Sequence, residues 1–277
     1  MTLLERKGGS VGRKWVYIFN RRNGKKLIPV DMKQSLILLA LLVSAPAWAS
    51  RQAQSHDANA HLELGNALMG TGNLDGAIAE YREALRLKPH FPEAHYNLGN
   101  ALMGKGDLDG AIAEYREALR LKPHDAHVHN NLGNALLDKD DLDGAIAQYQ
   151  EALHLKPDDP EAHNNLGHAL MGKGDLDGAI AQYREALRLK PDDPEAHNDL
   201  GLALKGKGDL DGAIAQYREA LRLKPHFPEA HYNLGLALKG KGDKLGAIEE
   251  YRKASELQPN NEKYRAGYEG LSKELKK

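Results

Sequence analysis

The sequence predicts an all-α solenoid built from antiparallel helix pairs that stack side by side. Three observations predict it: a 34-residue period recurs six times, each period carries two apolar stripes at helical spacing, and Gly and Pro separate the stripes. The segment at residues 103–123, for instance, returns at residues 171–191 with Glu114 replaced by Gln182. Because one such unit cannot bury its apolar face alone, the period indicates a stacked array rather than one globular core.

The period is marked by Leu-Gly pairs at steps of 34 residues. These pairs are Leu64-Gly65, Leu98-Gly99, Leu132-Gly133, Leu166-Gly167, Leu200-Gly201 and Leu234-Gly235. They divide the chain into six units, numbered here 1 to 6: 58–91, 92–125, 126–159, 160–193, 194–227 and 228–261. Four further residues recur at the same 34-residue step from unit 1 to unit 6, and each set is called a row here. The rows run from Ala77 to Ala247, Tyr81 to Tyr251, Ala84 to Ala254 and Pro89 to Pro259. Positions within a unit are counted from its first residue.

Unit 2 shows how each unit predicts two helices. The first helix is expected over about residues 93–104, where apolar residues recur at spacings of three and four. The second helix is expected to bury Ala111, Ile112, Tyr115, Ala118 and Leu119. Two glycines end the first helix, Pro123 stops the second because it lacks a backbone N–H, and Asp107 and Asp109 are expected to cap the second helix. After unit 6, residues 262–277 predict a C-terminal capping helix that covers the last apolar face.

The N-terminal residues predict an export signal. Residues 32–49 contain a Lys, an apolar run and an Ala-Trp-Ala sequence, which is the layout of a secretory signal peptide cleaved after Ala49. The apolar run is too short to span a membrane, so we expect no membrane span in the mature protein and a periplasmic or secreted location. The alternatives are an uncleaved anchor or a buried helix. Residues 1–31 form a basic extension, either an extended start of the signal or sequence upstream of a true start at Met32, and residues 50–57 form a linker.

Composition and charge exclude several classes of function. The chain has no Cys, which removes disulfides, thiolate metal sites and a Cys nucleophile. Residues 1–49 have a net charge of +7 and the remainder −8, and an acidic body argues against binding of nucleic acid phosphates. Only four Ser and one Thr follow the predicted cleavage site, and none lies in a pattern that a general base would activate. We therefore predict no enzymatic activity and no cofactor.

One His recurs at the fourth position of every unit. This row is His61, His95, His129, His163, His197 and His231. Zinc needs ring nitrogens about 2 Å from the metal, whereas helices pack about 8–10 Å apart. We therefore expect these histidines to be partly buried between helices, with a His-dependent metal site as the alternative. The same two possibilities apply to the denser group formed by His124, His127 and His129.

The Leu-Gly pair, the Ala and Tyr rows and the final Pro resemble the tetratricopeptide repeat family, and all six units match its pattern over residues 58–261. One departure is the His at the fourth position, where the family usually has an aromatic residue. The resemblance implies a right-handed superhelix whose first helices line a concave face, with peptides or protein segments bound there. It implies an interaction scaffold rather than an enzyme.

By this resemblance the groove is lined by the second, fifth, sixth, ninth, twelfth and thirteenth positions of each unit. The residues that we predict to bind a ligand are Asn66, Glu93, Tyr96, Asn97, Asn100, Asn130, Asn131, Asn134, Asn164, Asn165, His168, Asn198, Tyr232 and Asn233. The row of Asn is similar to the asparagine ladder in the repeat domain of O-linked N-acetylglucosamine transferases. Since a carboxamide both donates and accepts hydrogen bonds, we expect free amides here to hold the backbone of an extended peptide. The alternative is that these amides are merely solvated.

The charge of the groove predicts the class of partner. Glu93, Glu161, Glu195 and Glu229 occupy the second position and favour a neutral or basic segment. The Lys and Arg with which some family members clamp a C-terminal carboxylate are missing from the second, fifth and sixth positions. Two alternative functions remain: a purely structural subunit of an envelope assembly, bound through its convex face or ends, and the metal binder.

Overall fold

The computed structural model of the protein describes residues 15–20, 24–29 and 57–276. The predicted signal peptide at 32–49 and nearly all of the predicted linker lie outside these residues. Two strands, β1 (Trp15–Asn20) and β2 (Gly24–Pro29), pair antiparallel, with Trp15 opposite Pro29. The basic extension thus contains a β-hairpin that the sequence, which lacks a clear period there, did not predict.

Residues 57–276 form a series of helices joined by short turns, which confirms the all-α solenoid. The helices are α1 (57–70), α2 (Leu74–Leu87), α3 (Pro92–Gly104), α4 (Leu108–Leu121), α5 (Ala126–Asp138), α6 (Leu142–Leu155), α7 (Pro160–Gly172), α8 (Leu176–Leu189), α9 (Pro194–Gly206), α10 (Leu210–Leu223), α11 (Pro228–Gly240), α12 (Lys244–Leu257) and α13 (Glu262–Leu275). Within the residues that the structure describes, none of these helices is long and apolar enough to cross a membrane.

The second helix of each unit begins at an Asp or Asn that caps it. In unit 2 the Asp107 carboxylate accepts a hydrogen bond from the Gly110 backbone N–H at 3.0 Å. The expectation that Asp109 also caps this helix was wrong, because Asp109 lies inside the first turn and its carboxylate pairs with the Lys139 ammonium of the next unit. The same ion pair joins each of units 1 to 5 to the unit after it: Lys105–Asp75, Lys139–Asp109, Lys173–Asp143, Lys207–Asp177 and Lys241–Asp211.

The two helices of a unit approach each other closely because a Gly faces a Tyr. A Cβ added to Gly99 would lie 2.6 Å from the ring of Tyr115, so a larger residue cannot enter without a shift. Tyr115 is 1% exposed, and the corresponding Tyr of every other unit is buried as well. The Leu and Ala rows surround these rings in two clusters of buried residues, one within residues 77–169 and one within residues 179–271, and the partly buried Leu170 packs against both.

The units stack so that their first helices line one side. The second helix of each unit packs on the first helix of the next, as α4 does on α5. Successive first helices also contact each other, from α3 with α5 to α9 with α11, whereas no pair of second helices among the described elements does so to a similar extent. The first helices therefore form the concave side. Helix α13 packs on α12 and closes the array.

Candidate ligand-binding groove

The predicted groove residues all lie on the first helices, most of them half-buried. Asn66 and Glu93 are exposed, while Asn198 and Asn233 are buried, at 7% and 9% exposure. The half-buried residues are Tyr96, Asn97, Asn100, Asn130, Asn131, Asn134, Asn164, Asn165, His168 and Tyr232. Because successive first helices touch, residues that are 34 apart in the sequence become neighbours along the groove.

Side-chain amides link the first helices of units 1 to 4. Three hydrogen bonds run from the sixth position of one unit to the ninth position of the unit before it: Asn97 to Asn66 at 2.8 Å, Asn131 to Asn100 at 3.0 Å and Asn165 to Asn134 at 3.1 Å. In each, the sixth-position Nδ2 donates to the ninth-position Oδ1. We call these three bonds the amide ladder. The expectation that the groove amides are free was therefore wrong for the sixth-position N–H groups, because an acceptor on the neighbouring helix lies within reach.

Tyrosine hydroxyls of the second helices hold the amide ladder in place. Tyr81, Tyr115 and Tyr149 donate to the ninth-position oxygens of their own units at 2.8, 2.8 and 2.7 Å. Burial raises the pKa of Tyr115 and Tyr149, so these hydroxyls remain protonated donors. Each ninth-position oxygen accepts two hydrogen bonds, which turns its own N–H2 group away from them.

This arrangement leaves one half of each amide available to a ligand. Within residues 57–276, the ninth-position N–H2 groups of Asn66, Asn100 and Asn134 have no hydrogen-bond partner. The sixth-position oxygens of Asn97, Asn131 and Asn165 have none in that range either. The concave side of units 1 to 4 thus presents rows of donors and acceptors in a fixed orientation.

The amide ladder ends in unit 4. The ninth position there is His168, and in the two following units it is Leu, which cannot accept from the tyrosine beneath it. The hydroxyls of Tyr183 and Tyr217 are buried and have no hydrogen-bond partner among residues 57–276. Asp199 stands at a sixth position where units 2, 3, 4 and 6 have Asn, and its Oδ2 lies 3.1 Å from the His168 Nε2. A carboxylate cannot donate a hydrogen bond, so Asp199 cannot extend the amide ladder as the sixth-position Asn residues do.

A cavity of about 520 Å³ opens on the concave side of units 5 and 6, next to α13. We call it the end cavity. Its lining includes Asn198, Asp199, Glu229, Tyr232 and Asn233 from first helices and Lys263 from α13. The Tyr232 ring packs against the rings of Tyr251 and Tyr264, with centroid separations of 5.3 and 5.1 Å. Aromatic packing on these two rings holds Tyr232 in position at the cavity.

The fourth-position histidines join the two helices of a unit, which confirms that they pack between helices. The His95 Nδ1 lies 2.6 Å from the Glu114 carboxylate, and its Nε2 lies 3.1 Å from the Pro89 carbonyl oxygen. Burial alone lowers the pKa of His95, but the hydrogen bonds to Glu114 and to the Pro89 carbonyl outweigh burial, and the pKa is raised. Both ring nitrogens are engaged in this way in units 2 to 6. Residues 57–276 contain no group of three or more His, Asp or Glu side chains placed to hold a metal ion.

Sequence reasoning missed two contributions to the groove. It treated the Tyr row as core alone, although three of these hydroxyls orient the ninth-position amides. It also left α13 out of the site, although Lys263 and Tyr264 line the end cavity. A signal for the second contribution was present, because Lys263 lies one 34-residue period after Glu229 and continues the row of second positions.

The comparisons with known proteins agree with this architecture. A family model described as the cilia and flagella-associated protein 70 C-terminal domain, a tetratricopeptide-repeat model, matches residues 32–270. No curated protein matches the chain.

Several solved structures are similar to this chain. YrrB, described as a TPR protein with an unusual peptide-binding site, is 24% identical with a TM-score of 0.58, over 68% of this chain and 97% of YrrB. PilF of Pseudomonas aeruginosa is 21% identical with a TM-score of 0.68, over 80% of this chain and 99% of PilF. MamA is 30% identical with a TM-score of 0.56, over 58% of this chain and 95% of MamA. YrrB and PilF, at these identities, support the fold.

Proposed function

The chain belongs to the tetratricopeptide-repeat family, and from this premise we propose that it is a protein-interaction scaffold that binds an extended peptide or protein segment in its concave groove. The observation that carries the proposal is the orientation of the groove amides in units 1 to 4. Ninth-position N–H2 groups and sixth-position oxygens lack partners within residues 57–276, while the opposite end of each amide is held by the fold. Such preorganised polar groups bind a ligand without a further loss of side-chain entropy.

The spacing of these groups suits an extended chain. Packed helices lie about 8–10 Å apart, and an extended segment rises about 3.3 Å per residue, so each unit meets about every third residue of the segment. A backbone N–H of the segment donates to a sixth-position oxygen, and a backbone carbonyl accepts from a ninth-position N–H2. Recognition of this kind makes little demand on the side chains of the segment. YrrB, described by its peptide-binding site, is a precedent for peptide binding on this fold.

We further propose that the protein is exported to the periplasm or secreted, with cleavage after Ala49. The layout of residues 32–49 supports this proposal. Both Trp residues, Trp15 and Trp48, precede the cleavage site, so the mature protein is expected to show tyrosine emission only. Intact-mass measurement of the exported protein tests the site directly, and a mass that includes Trp48 would contradict it.

Site-specific photo-crosslinking in the producing cells tests where the partner binds. A photoreactive phenylalanine analogue replaces Tyr96 in the groove or Arg116, which is exposed on the second helix of the same unit. The proposal expects protein adducts from position 96 and few from position 116. Adducts from position 116 alone would instead support the structural-subunit alternative, in which the convex face carries the contact.

A charge-matched set of variants then tests the amides themselves. Asn66→Asp, Asn100→Asp and Asn134→Asp together keep an oxygen for each tyrosine hydroxyl and each sixth-position N–H2, but they remove the outward N–H2 groups. We expect the adducts from position 96 to disappear while helicity is retained. The control adds three charges on exposed positions of second helices, as Ala113→Asp, Ala181→Asp and Ala215→Asp. Unchanged adducts in the Asn→Asp set would remove the amides from the recognition surface.

The metal-binding alternative is tested by calorimetric titration with zinc. We expect no binding heat from the His row, because both ring nitrogens of His95 and of its counterparts in units 3 to 6 already bond to the chain. Stoichiometric heat that is lost in a His95→Gln, His129→Gln double variant would favour the alternative.

A further inference from the structure

The end cavity contains a chain of hydrogen bonds whose direction is fixed by Asp199. A carboxylate only accepts hydrogen bonds, so the neighbouring Asn198 must turn its Nδ2 toward Asp199 Oδ1, which lies 3.3 Å away. The Asn198 Oδ1 then accepts from the Asn233 Nδ2 at 3.0 Å. The orientation of Asn233 follows from these two bonds, and its oxygen is left without a partner among residues 57–276.

The polar groups that the first helices present to this cavity are therefore mostly acceptors. Asn233 is 9% exposed and lines the cavity, so its unpartnered oxygen is an acceptor that a donor in the cavity can reach. The carboxylate of Asp199 lies beside it, and the exposed Glu229 adds a second carboxylate. The face of Tyr232, fixed by Tyr251 and Tyr264, supplies the negative side of an aromatic quadrupole.

The protein itself places an ammonium group against this surface. The Lys263 Nζ lies 4.7 Å from the centroid of the Tyr232 ring, and Lys263 lines the cavity. The other lysine of the lining, Lys224, pairs with Glu195 at 2.7 Å and lies over the Phe227 ring at 4.5 Å. Each of these cations is already held, whereas Asp199, Glu229 and the Asn233 oxygen have no Lys or Arg bound to them within residues 57–276.

We infer that the end cavity binds the ammonium or guanidinium group of a lysine or arginine side chain that belongs to the segment held in the groove. This inference rests on the proposed function and adds to it a specificity site at the C-terminal end. An ammonium carries three N–H donors and no acceptor, which matches an unpartnered amide oxygen, two carboxylates and an aromatic face. The apolar stem of the side chain lies along Leu202, which also lines the cavity. Lys263 is the resident cation with which the bound side chain competes for Tyr232.

Three peptides that differ at one residue test the inference. Each is a ten-residue, capped Gly/Ser peptide with lysine, norleucine or glutamate at its centre, titrated into the full chain by calorimetry. Norleucine keeps the aliphatic stem and removes the charge. We expect the lysine peptide to bind about tenfold more tightly than the norleucine peptide, and the glutamate peptide to bind most weakly.

Variants of the cavity locate the effect. We expect two variants, Asp199→Asn and Glu229→Gln, each to weaken binding of the lysine peptide severalfold and to leave binding of the norleucine peptide unchanged. Asp199→Asn also removes the constraint that fixes the orientation of Asn233. Lys263→Met is expected to strengthen binding of the lysine peptide, because it removes the competing cation. Glu249→Gln is the control, since it removes an exposed carboxylate from α12, outside the cavity lining, and changes neither peptide.

The outcomes separate this inference from the proposed function. If all three peptides bind equally well and the Asn66, Asn100, Asn134→Asp set abolishes their binding, the groove stands and the lysine site is wrong. Tightest binding of the glutamate peptide would make Lys224 and Lys263 an anion site and overturn the inference. Absence of binding by all three peptides would contradict both proposals.

Discussion

Units 1 to 4 and units 5 and 6 have the same backbone design, yet they line the concave side with different chemistry. In the first group, amides form a ladder that tyrosine hydroxyls anchor, and the remaining donors and acceptors face the groove. In the second group, Leu replaces the ninth-position amide, the buried Tyr217 hydroxyl has no partner within residues 57–276, and a carboxylate enters at Asp199. The repeated positions therefore maintain the fold, while a few groove positions are free to diverge.

The twelfth position differs between the two groups in the same sense. It holds Met or Leu in units 1 to 4 and Lys in units 5 and 6, as Lys205 and Lys239. Burial, together with the charge of Lys263, lowers the pKa of Lys205. The twelfth-position side chains of the groove therefore change from apolar in units 1 to 4 to charged in units 5 and 6. Such a change suits a segment that is read by its backbone at one end and by a side chain at the other.

Substitution of the Gly that faces each buried Tyr tests whether the two groups depend equally on this close helix packing, and it should cause the greatest loss of stability. Gly99→Ala and Gly201→Ala each place a Cβ about 2.6 Å from a buried tyrosine ring. We expect both substitutions to lower the free energy of unfolding by about 2 kcal/mol, because the ring cannot move away in a filled core. Chemical denaturation measures the loss. Gly270→Ala is the control, since nothing lies within 4 Å of its added Cβ. Clearly unequal losses in Gly99→Ala and Gly201→Ala would show that the Gly–Tyr packing differs between the two groups.

Removal of the Tyr hydroxyl is expected to change the free energy of unfolding differently in the two groups. Tyr115→Phe removes a hydroxyl that bonds to Asn100, so we expect a loss of about 1 kcal/mol in the free energy of unfolding. Tyr217→Phe removes a buried hydroxyl that has no partner within residues 57–276, so we expect no loss or a small gain. Urea denaturation of the two variants measures both. Equal losses would mean that the Tyr217 hydroxyl has a partner and that the amide ladder is not the point of difference.

The smallest expected change is in the pH dependence of stability, and it depends on whether the fourth-position His of a unit bonds to Glu or to Gln. The fourth-position His bonds to Glu in units 1, 2 and 6 and to Gln in units 3 to 5. Because the pKa of His95 is raised in the folded state, its ion pair with Glu114 stabilises fully below the unfolded pKa of about 6.5, and this contribution is lost as the pH rises through the folded value.

Glu114→Gln should therefore reduce the decrease in the free energy of unfolding above that pH, and the reduction should be less than about 1 kcal/mol. The reciprocal Gln182→Glu should introduce a decline of the same sign in unit 4. Melting temperatures measured across the pH range for both variants check this expectation. A Glu114→Gln variant with the full pH dependence of the parent would assign that dependence to other groups.

Much of the fold could be predicted from the sequence because it depends on local rules that repeat. The Leu-Gly and Tyr rows marked both helices of a unit, and the first Asp of each Asp-Leu-Asp segment capped a helix as expected. The second Asp was assigned wrongly because its partner, such as Lys139 for Asp109, lies 30 residues away in the next unit. Contacts between units are not visible in the pattern within one unit.

The candidate site was less predictable for the same reason. The sequence shows a row of Asn at the sixth position, but it does not show that Asn131 faces Asn100 across two helices or that Tyr115 reaches the same oxygen from below. The direction in which each amide points follows from those contacts alone. The end of the amide ladder was visible as the change from Asn to His and Leu at the ninth position, although its meaning required the position of the tyrosine hydroxyls.

The most direct measurement is the side-chain amide NMR spectrum of Asn-labelled protein, recorded with and without the lysine peptide. We expect the ninth-position N–H2 signals of Asn100 and Asn134 to shift on binding, while the internally bonded N–H2 signals of Asn131 and Asn165 exchange slowly with solvent and move little. Binding that shifts neither Asn100 nor Asn134 but perturbs residues on the second helices would contradict a groove built from half-satisfied amides.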